Sequence, residues 1–280
     1  MKIKTTPLSD TPLSEITRCF NEAFSDYFVK FNATEEYLRT RWKGARVDYN
    51  LSFGYFVDGH MRGFIMHGID FHEGRLTAFN CATGIEPPYR GKGILGEIYK
   101  TAIAALKKHG VQSSLLEVIS INKKAIRAYE KTGFKIRNGL LHCFKNQPKI
   151  NIETNKEIKF YKTKNPDYKK YKPFRDYAPT WEMTSKAFAV FPGEFDFWEM
   201  KLKDELIGYL IIAPKTGLVQ QFAINKKYRK KGFGKMLFQN TVNNYENIRV
   251  NNVPESAEAT VGFLKSTGME NHIDQYEMVM

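Results

Sequence analysis

Cysteine is scarce in this chain. Cys19, Cys81 and Cys143 stand alone in 280 residues, so a disulfide framework is not expected. With no CxxC pair and no Cys/His cluster, no metal site is expected either. Long apolar runs are missing too: nothing approaches the roughly 18 or more residues of a membrane helix. Met1-Lys-Ile-Lys-Thr-Thr-Pro-Leu8 lacks the apolar centre of a secretory leader, so a cytoplasmic protein with no membrane partner is the expectation. His60, His67, His72 and His109 form no Ser/His/Asp pattern, and His67 and His72 read as hairpin surface residues.

What is present argues for folded domains. A hydrophobic fraction of 42% and an aromatic fraction of 14% supply cores, and 280 residues suffice for two of them. The formal charge of +13 would suit a polyanion. Yet the basic residues are scattered, and the densest runs, Lys169-Lys-Tyr-Lys172 and Lys226-Lys-Tyr-Arg-Lys-Lys231, are short. No zinc finger, basic zipper or RNA-binding aromatic motif accompanies them, so nucleic acid is not the expected partner. A Lys-rich solvated surface, with a few side chains reserved for a small anion, accounts for the charge.

One local pattern occurs twice. Ile85-Glu-Pro-Pro-Tyr-Arg-Gly-Lys-Gly93 returns 139 residues later as Ile224-Asn-Lys-Lys-Tyr-Arg-Lys-Lys-Gly232. Each copy follows a strand-like stretch (76–85, 217–224) and opens a helix-like one (94–109, 233–245). A strand and a second helix then end in Tyr129-Glu-Lys-Thr-Gly-Phe134 or Leu264-Lys-Ser-Thr-Gly-Met269. Upstream of the first copy the pattern predicts helices over 16–24 and 34–42 and a hairpin turning at Asp58-Gly59. Further strands are predicted at 114–119 and 140–144, with a helix at 122–131 between them. Upstream of the second copy it predicts helices within 176–191 and strands at 157–161, 195–200 and 206–213, the last two joined by a Lys203-Asp204 turn. The remaining predicted elements are a strand at 248–251, a helix at 255–266 and a strand at 272–280. The polar stretch 146–165 separates the halves, giving expected domains of 1–148 and 149–280 produced by duplication.

A glycine-bearing basic turn between a strand and a helix suits phosphate. Glycine lets a ligand approach the backbone, and the first helical amides have no partner inside the helix. Arg90, Gly91, Lys92, Gly93, Ile94, Leu95 and Gly96 make up one such turn. Arg229, Lys230, Lys231, Gly232, Phe233 and Gly234 make up the other. Neither is the P-loop pattern GxxxxGK(S/T).

On these residues the chain resembles the GCN5-related N-acetyltransferase (GNAT) superfamily in a tandem, two-domain arrangement. The family pattern is Arg or Gln, two residues, Gly, one residue, then Gly or Ala. Arg229, Gly232 and Gly234 meet it fully; Arg90 and Gly93 meet it in part, with Leu95 at the last position and Gly96 one place later. Glu117-Val-Ile-Ser-Ile-Asn122 through Gly133-Phe134 is similar to the family's second signature. The resemblance implies an α/β fold: two tandem domains, each a mostly antiparallel twisted sheet flanked by helices, with an irregular fourth strand beside which acetyl-CoA lies. It also implies an N-acetyltransferase using acetyl-CoA (or CoA) and a primary amine of a small molecule or peptide. A homo-oligomer is compatible with it.

Cofactor contacts carried over are Ile85, Ile224, the two turns and Asn122, the last of which equally suits a helix cap. Tyr129 matches the phenol near the cofactor sulfur and equally suits a core aromatic, while Glu117 reads as either a general base or a solvated strand residue. Asp26 and Tyr27 read as acceptor-pocket residues or an ordinary helix end. The second domain has Leu264 and Ala257 in place of Tyr129 and Asn122, so chemistry is expected in the first domain, with the second binding cofactor or lending support. The alternatives are catalysis in the second domain and a non-catalytic acyl-CoA-binding regulator.

Overall fold

The computed structural model describes residues 2–27, 32–153, 155–191 and 193–280. They form two compact units: residues 1–118, 122–137 and 277–280 in the first, 119–121 and 138–276 in the second.

In unit 1, β1 (Ile3–Pro7), β2 (Phe53–Val57), β3 (His60–His72) and β4 (Arg75–Ile85) pair antiparallel in that order, and β5 (Ser113–Ile119) joins β4 in parallel. The β2–β3 hairpin turns at Asp58 (φ 49°) and Gly59 (φ 85°), the paired left-handed conformation that an Asp-Gly loop favours. Helices α1 (Leu13–Ala23) and α2 (Glu35–Gly44) cover one sheet face, burying Ile16, Phe20, Leu38 and Trp42 against Phe64 and Met66. Thr34 caps α2 by accepting from the Tyr37 amide. On the other face lies α3 (Ile94–Lys108), whose Ile94, Ile98, Ala102 and Leu106 recur every fourth residue on its buried side. It is followed by α4 (Lys123–Lys131). Residues 277–280 complete this unit: Ser114 and Met280 exchange both backbone hydrogen bonds (2.8 and 2.9 Å), and Arg137 joins Glu277 at 2.5 Å.

Unit 2 begins with part of β6 (Lys135–Lys145), which enters it at Asn138 (φ 59°) and Gly139 (φ 72°). There β7 (Ile158–Thr163), β8 (Asp196–Leu202), β9 (Glu205–Ala213) and β10 (Leu218–Ile224) pair antiparallel. β11 (Arg249–Pro254) runs parallel to β10, β6 runs antiparallel to β11, and β12 (Glu270–Val279) borders β6. Short α5 (Tyr168–Tyr171) and α6 (Ser185–Ala189) precede the sheet's centre; α7 (Phe233–Asn244) and α8 (Glu258–Ser266) follow the turns. Leu237, Phe238 and Leu264 are fully buried with Ile207, Ile212 and Val253.

Several expectations change. β1 and α5 carry too little periodicity to be read from the sequence, and β6 begins at Lys135, five residues before the predicted 140–144. The helical reading of 176–191 shrinks to a 3-10 turn at Trp181–Met183 and α6, because Pro179 disfavours helix before it and Thr180 and Thr184 interrupt the segment with extended backbone. His67 and His72 are not surface residues. His67 is 1% exposed, its Nδ1 lies 2.7 Å from the Leu51 carbonyl, and only 9% of the His72 side chain is exposed. Among the described residues no helix is long and apolar enough to cross a membrane.

Candidate active site

Both units carry the same defect in the strand before the turn. β4 pairs Ala82 with Met66 but Asn80 with His67, leaving Cys81 as an extra residue. β10 pairs Val219 with Ile212 but Gln221 with Ile211, leaving Gln220 extra. Parallel pairing to the next strand stops at the residue before each bulge: Asn80 with Leu116, and Val219 with Val250. Beyond it the strands part, and their unpaired backbone groups are available to an extended ligand. The irregularity implied by the resemblance is therefore present twice.

The turns follow at once. In unit 1, Gly91 and Gly93 both have φ 76°, and a Cβ on Gly91, Gly93 or Gly96 would meet only open space. Gly93 opens α3 with no side-chain cap, so the first amides of the helix are left for an incoming acceptor. Unit 2 repeats this with Gly232 (φ 82°) opening α7 uncapped, and with Lys230 (φ 60°) where unit 1 has Gly91. Gly234 differs: a Cβ there would come within 3.1 Å of the Phe263 ring, so this glycine also lets α7 pack closely against α8. Lys92 and Lys231 lie over the rings of Tyr89 and Tyr228, at 5.3 and 5.7 Å.

Arg90 and Arg229 brace the turns. Arg90 donates to the Ile85 carbonyl, the Ala23 carbonyl and both Asp26 carboxylate oxygens; Arg229 donates to the Ile224 and Phe174 carbonyls and to both oxygens of Asp176. Asp26 thus holds a guanidinium rather than standing alone in a pocket, and that contact keeps its carboxyl below the usual range.

Around the bulge of unit 1 is a connected polar cluster. The Asn80 side-chain amide donates to the Tyr99 hydroxyl (2.9 Å), Thr83 donates to Asn80 Oδ1 (2.9 Å), and the Tyr129 phenol lies beside Thr83 and Asn80. Burial pushes the Tyr129 phenol up to about 12, so it holds its proton at neutral pH. Its ring packs edge-on against Tyr99 and Phe134, at 6.3 and 6.0 Å between centroids. Asn122 caps α4 by accepting from the Ala125 amide (3.1 Å) and lies beside the Tyr27 phenol. Glu117 is half-buried on β5, one residue past the last paired position. Asn80, Thr83 and Tyr99 escaped the sequence reading. Their signal was present as two polar residues in an apolar strand and a tyrosine on the buried side of α3.

In unit 2 the same positions are apolar, and the parted strands border a cavity of about 690 Å³. Its lining includes Arg229, Lys230, Gly232 and Gly234 of the turn, Val219 to Ile224 of β10 and Val250 to Asn252 of β11. A bulged strand, an uncapped helix opening and a cavity lined by both fit a thioester carrier with a diphosphate, and both units have the first two.

The comparisons agree with this geometry. The acetyltransferase (GNAT) family model matches residues 16–134. N-alpha-acetyltransferase MAK3 of Arabidopsis thaliana is 30% identical over 96 residues, 34% of this chain and 50% of that protein. The chain thus spans about half the length of the curated relative it matches. A GCN5-related N-acetyltransferase from Sphaerobacter thermophilus superposes with a TM-score of 0.74 at 12% identity, over 99% of this chain and 95% of that one. A tandem GNAT protein from the clavulanic acid biosynthesis pathway gives 0.73 at 11% identity, over 100% and 98%. At these identities the superpositions speak for the fold alone. Residues 16–134 match the GNAT acetyltransferase family, and the chain as a whole has the tandem GNAT fold.

Proposed function

We propose that the protein is a cytoplasmic, acetyl-CoA-dependent N-acetyltransferase acting on a primary amine of a small molecule or peptide, with its chemistry in the N-terminal domain. The observation that carries this reading is Tyr129, a buried, protonated phenol beside Asn80 and Thr83, which flank the Cys81 bulge. Acetyl-CoA would supply the activated acetyl group. The uncapped amides of Ile94, Leu95 and Gly96 would receive its diphosphate, with Lys92 adding charge and Arg90 fixing the turn. The backbone freed at the bulge would align the pantetheine arm with β4. Tyr129 would donate a proton to the departing thiolate. Glu117, on the parted stretch of β5, would take the proton of the incoming ammonium, directly or through water. Holding both reactants in one cleft contributes much of the acceleration in such a reaction.

The test is thiol release from acetyl-CoA with a panel of amines, for the wild type and Tyr129→Phe. Unchanged turnover under conditions where chemistry limits the rate would remove the assigned role. A second reading, with ligand binding or catalysis in unit 2, is favoured by the cavity of about 690 Å³ and the complete Arg229–Gly232–Gly234 turn. Acyl-CoA occupancy measured after disrupting each turn separately distinguishes the two.

A further inference from the structure

The two units carry their polar side chains on opposite faces of the bulged strand. Equivalent positions follow from the shared turn, the Gly63–Ile85 and Gly208–Ile224 pairs, and the Arg90–Asp26 and Arg229–Asp176 braces. Asn80, Thr83, Tyr99 and Tyr129 of unit 1 become Val219, Phe222, Phe238 and Leu264 in unit 2, so these four positions lose every hydroxyl and amide. On the other face the change runs the opposite way. Ser25, Phe64 and Ala82 become Arg175, Tyr209 and Gln221.

These three line the cavity and form a hydrogen-bonded chain. Arg175 Nε donates to the Tyr209 hydroxyl (2.9 Å), that hydroxyl donates to Gln221 Oε1 (3.3 Å), and the Gln221 amide donates to the Met183 carbonyl. Tyr209 is 0% exposed, so the Arg175 guanidinium is anchored by its Nε edge to a buried group. Its two terminal nitrogens have no partner among the described residues, and neither does the Tyr177 hydroxyl two residues on. Both side chains are half-buried and line the cavity. Asp176 is the one carboxylate in the lining, and Arg229 already holds both its oxygens. A half-buried cation without an anion is costly, and a guanidinium fork matches a carboxylate better than any neutral group.

We propose that this part of the unit 2 cavity wall is a carboxylate subsite, in which the free fork of Arg175 and the hydroxyl of Tyr177 seat the carboxylate of a small ligand. The carboxylate can arrive on a free amino-acid-like molecule or at the end of an acyl chain carried as a thioester. The subsite does not depend on catalysis by unit 1.

The test is calorimetric titration of the whole protein with L-amino acids and their C-terminal amides, and with succinyl-CoA beside acetyl-CoA. At least one carboxylate form is expected to bind about tenfold or more tightly than its neutral counterpart. Discrimination among the amino acids identifies a free ligand; discrimination only between the thioesters identifies the acyl chain. Arg175→Gln is expected to abolish the difference, and Tyr177→Phe to reduce it severalfold. Equal affinity for charged and neutral members in the wild type would overturn the proposal, as would discrimination that survives in folded Arg175→Gln. If Arg175→Gln does not fold, the wild-type comparison and Tyr177→Phe still decide.

Discussion

Arg90 and Asp26 are joined by two hydrogen bonds of 2.7 and 2.8 Å, and Arg229 and Asp176 repeat the pair at 2.7 and 2.9 Å. In each unit the same guanidinium also reaches the carbonyl ending the bulged strand, at 3.0 Å. One side chain thus ties the turn to the strand before it and to the segment after the first helices.

Breaking that tie should loosen the turn before it unfolds the unit. Asp176→Ala is expected to cost about 0.5–1 kcal/mol, the scale of a partly exposed ion pair. Arg229→Ala is expected to cost about 2 kcal/mol, because two backbone carbonyls lose their donor as well. Urea unfolding measures both. Equal costs would mean that the carbonyl bonds contribute nothing.

Tyr129→Phe removes one hydroxyl and leaves the ring packing in place. Turnover is expected to fall roughly 100-fold, the scale of a lost general acid. The KM for acetyl-CoA should change little. A rise in KM with unaltered kcat would assign the residue to binding instead.

His67 makes stability pH-dependent. Burial pushes its imidazole down to about 4 from 6.5, and the hydrogen bond to Leu51 offsets this only in part. The unfolded chain therefore takes up a proton over an interval in which the folded one does not. The contribution is complete above pH 6.5 and is lost as pH falls toward 4, roughly 3 kcal/mol in all. Denaturant midpoints at successive pH values should show this slope, and His67→Gln should flatten it.

Gly93→Ala and Gly232→Ala each place a methyl group where the backbone has φ 76° or 82° and the space is open. Each is expected to cost about 1–2 kcal/mol in stability and to obstruct approach to the helix opening. Gly93→Ala should abolish thiol release while leaving unit 2 able to bind acyl-CoA. Loss of activity in Gly232→Ala alone would transfer the chemistry to unit 2.

The sequence disclosed the duplicated turns because they are local: glycine, charge and helix opening fall within ten residues. The places of Tyr129 on α4 and of Asn122 at its cap were legible for the same reason, as parts of one continuous stretch. The cluster joining Asn80, Thr83 and Tyr99 was not, since a bulge at Cys81 brings together residues that strict alternation would separate. The Arg90–Asp26 brace spans 64 residues, and no spacing rule reaches that far. His67 looked like an exposed hairpin residue because its partner is a backbone carbonyl, which leaves no trace in composition. Nor does the pattern of an apolar strand state which sheet it enters, as with residues 138–145 and 277–280.

Those last residues bear on how the protein is made. Residues 277–280 leave the ribosome after the whole of unit 2, yet Ser114 takes its backbone partners from Met280 and Arg137 takes a carboxylate from Glu277. Until synthesis reaches them, an N-terminal nascent chain must wait with an unfinished sheet margin, accessible to chaperones. Assembly of the first half is therefore timed by completion of the second.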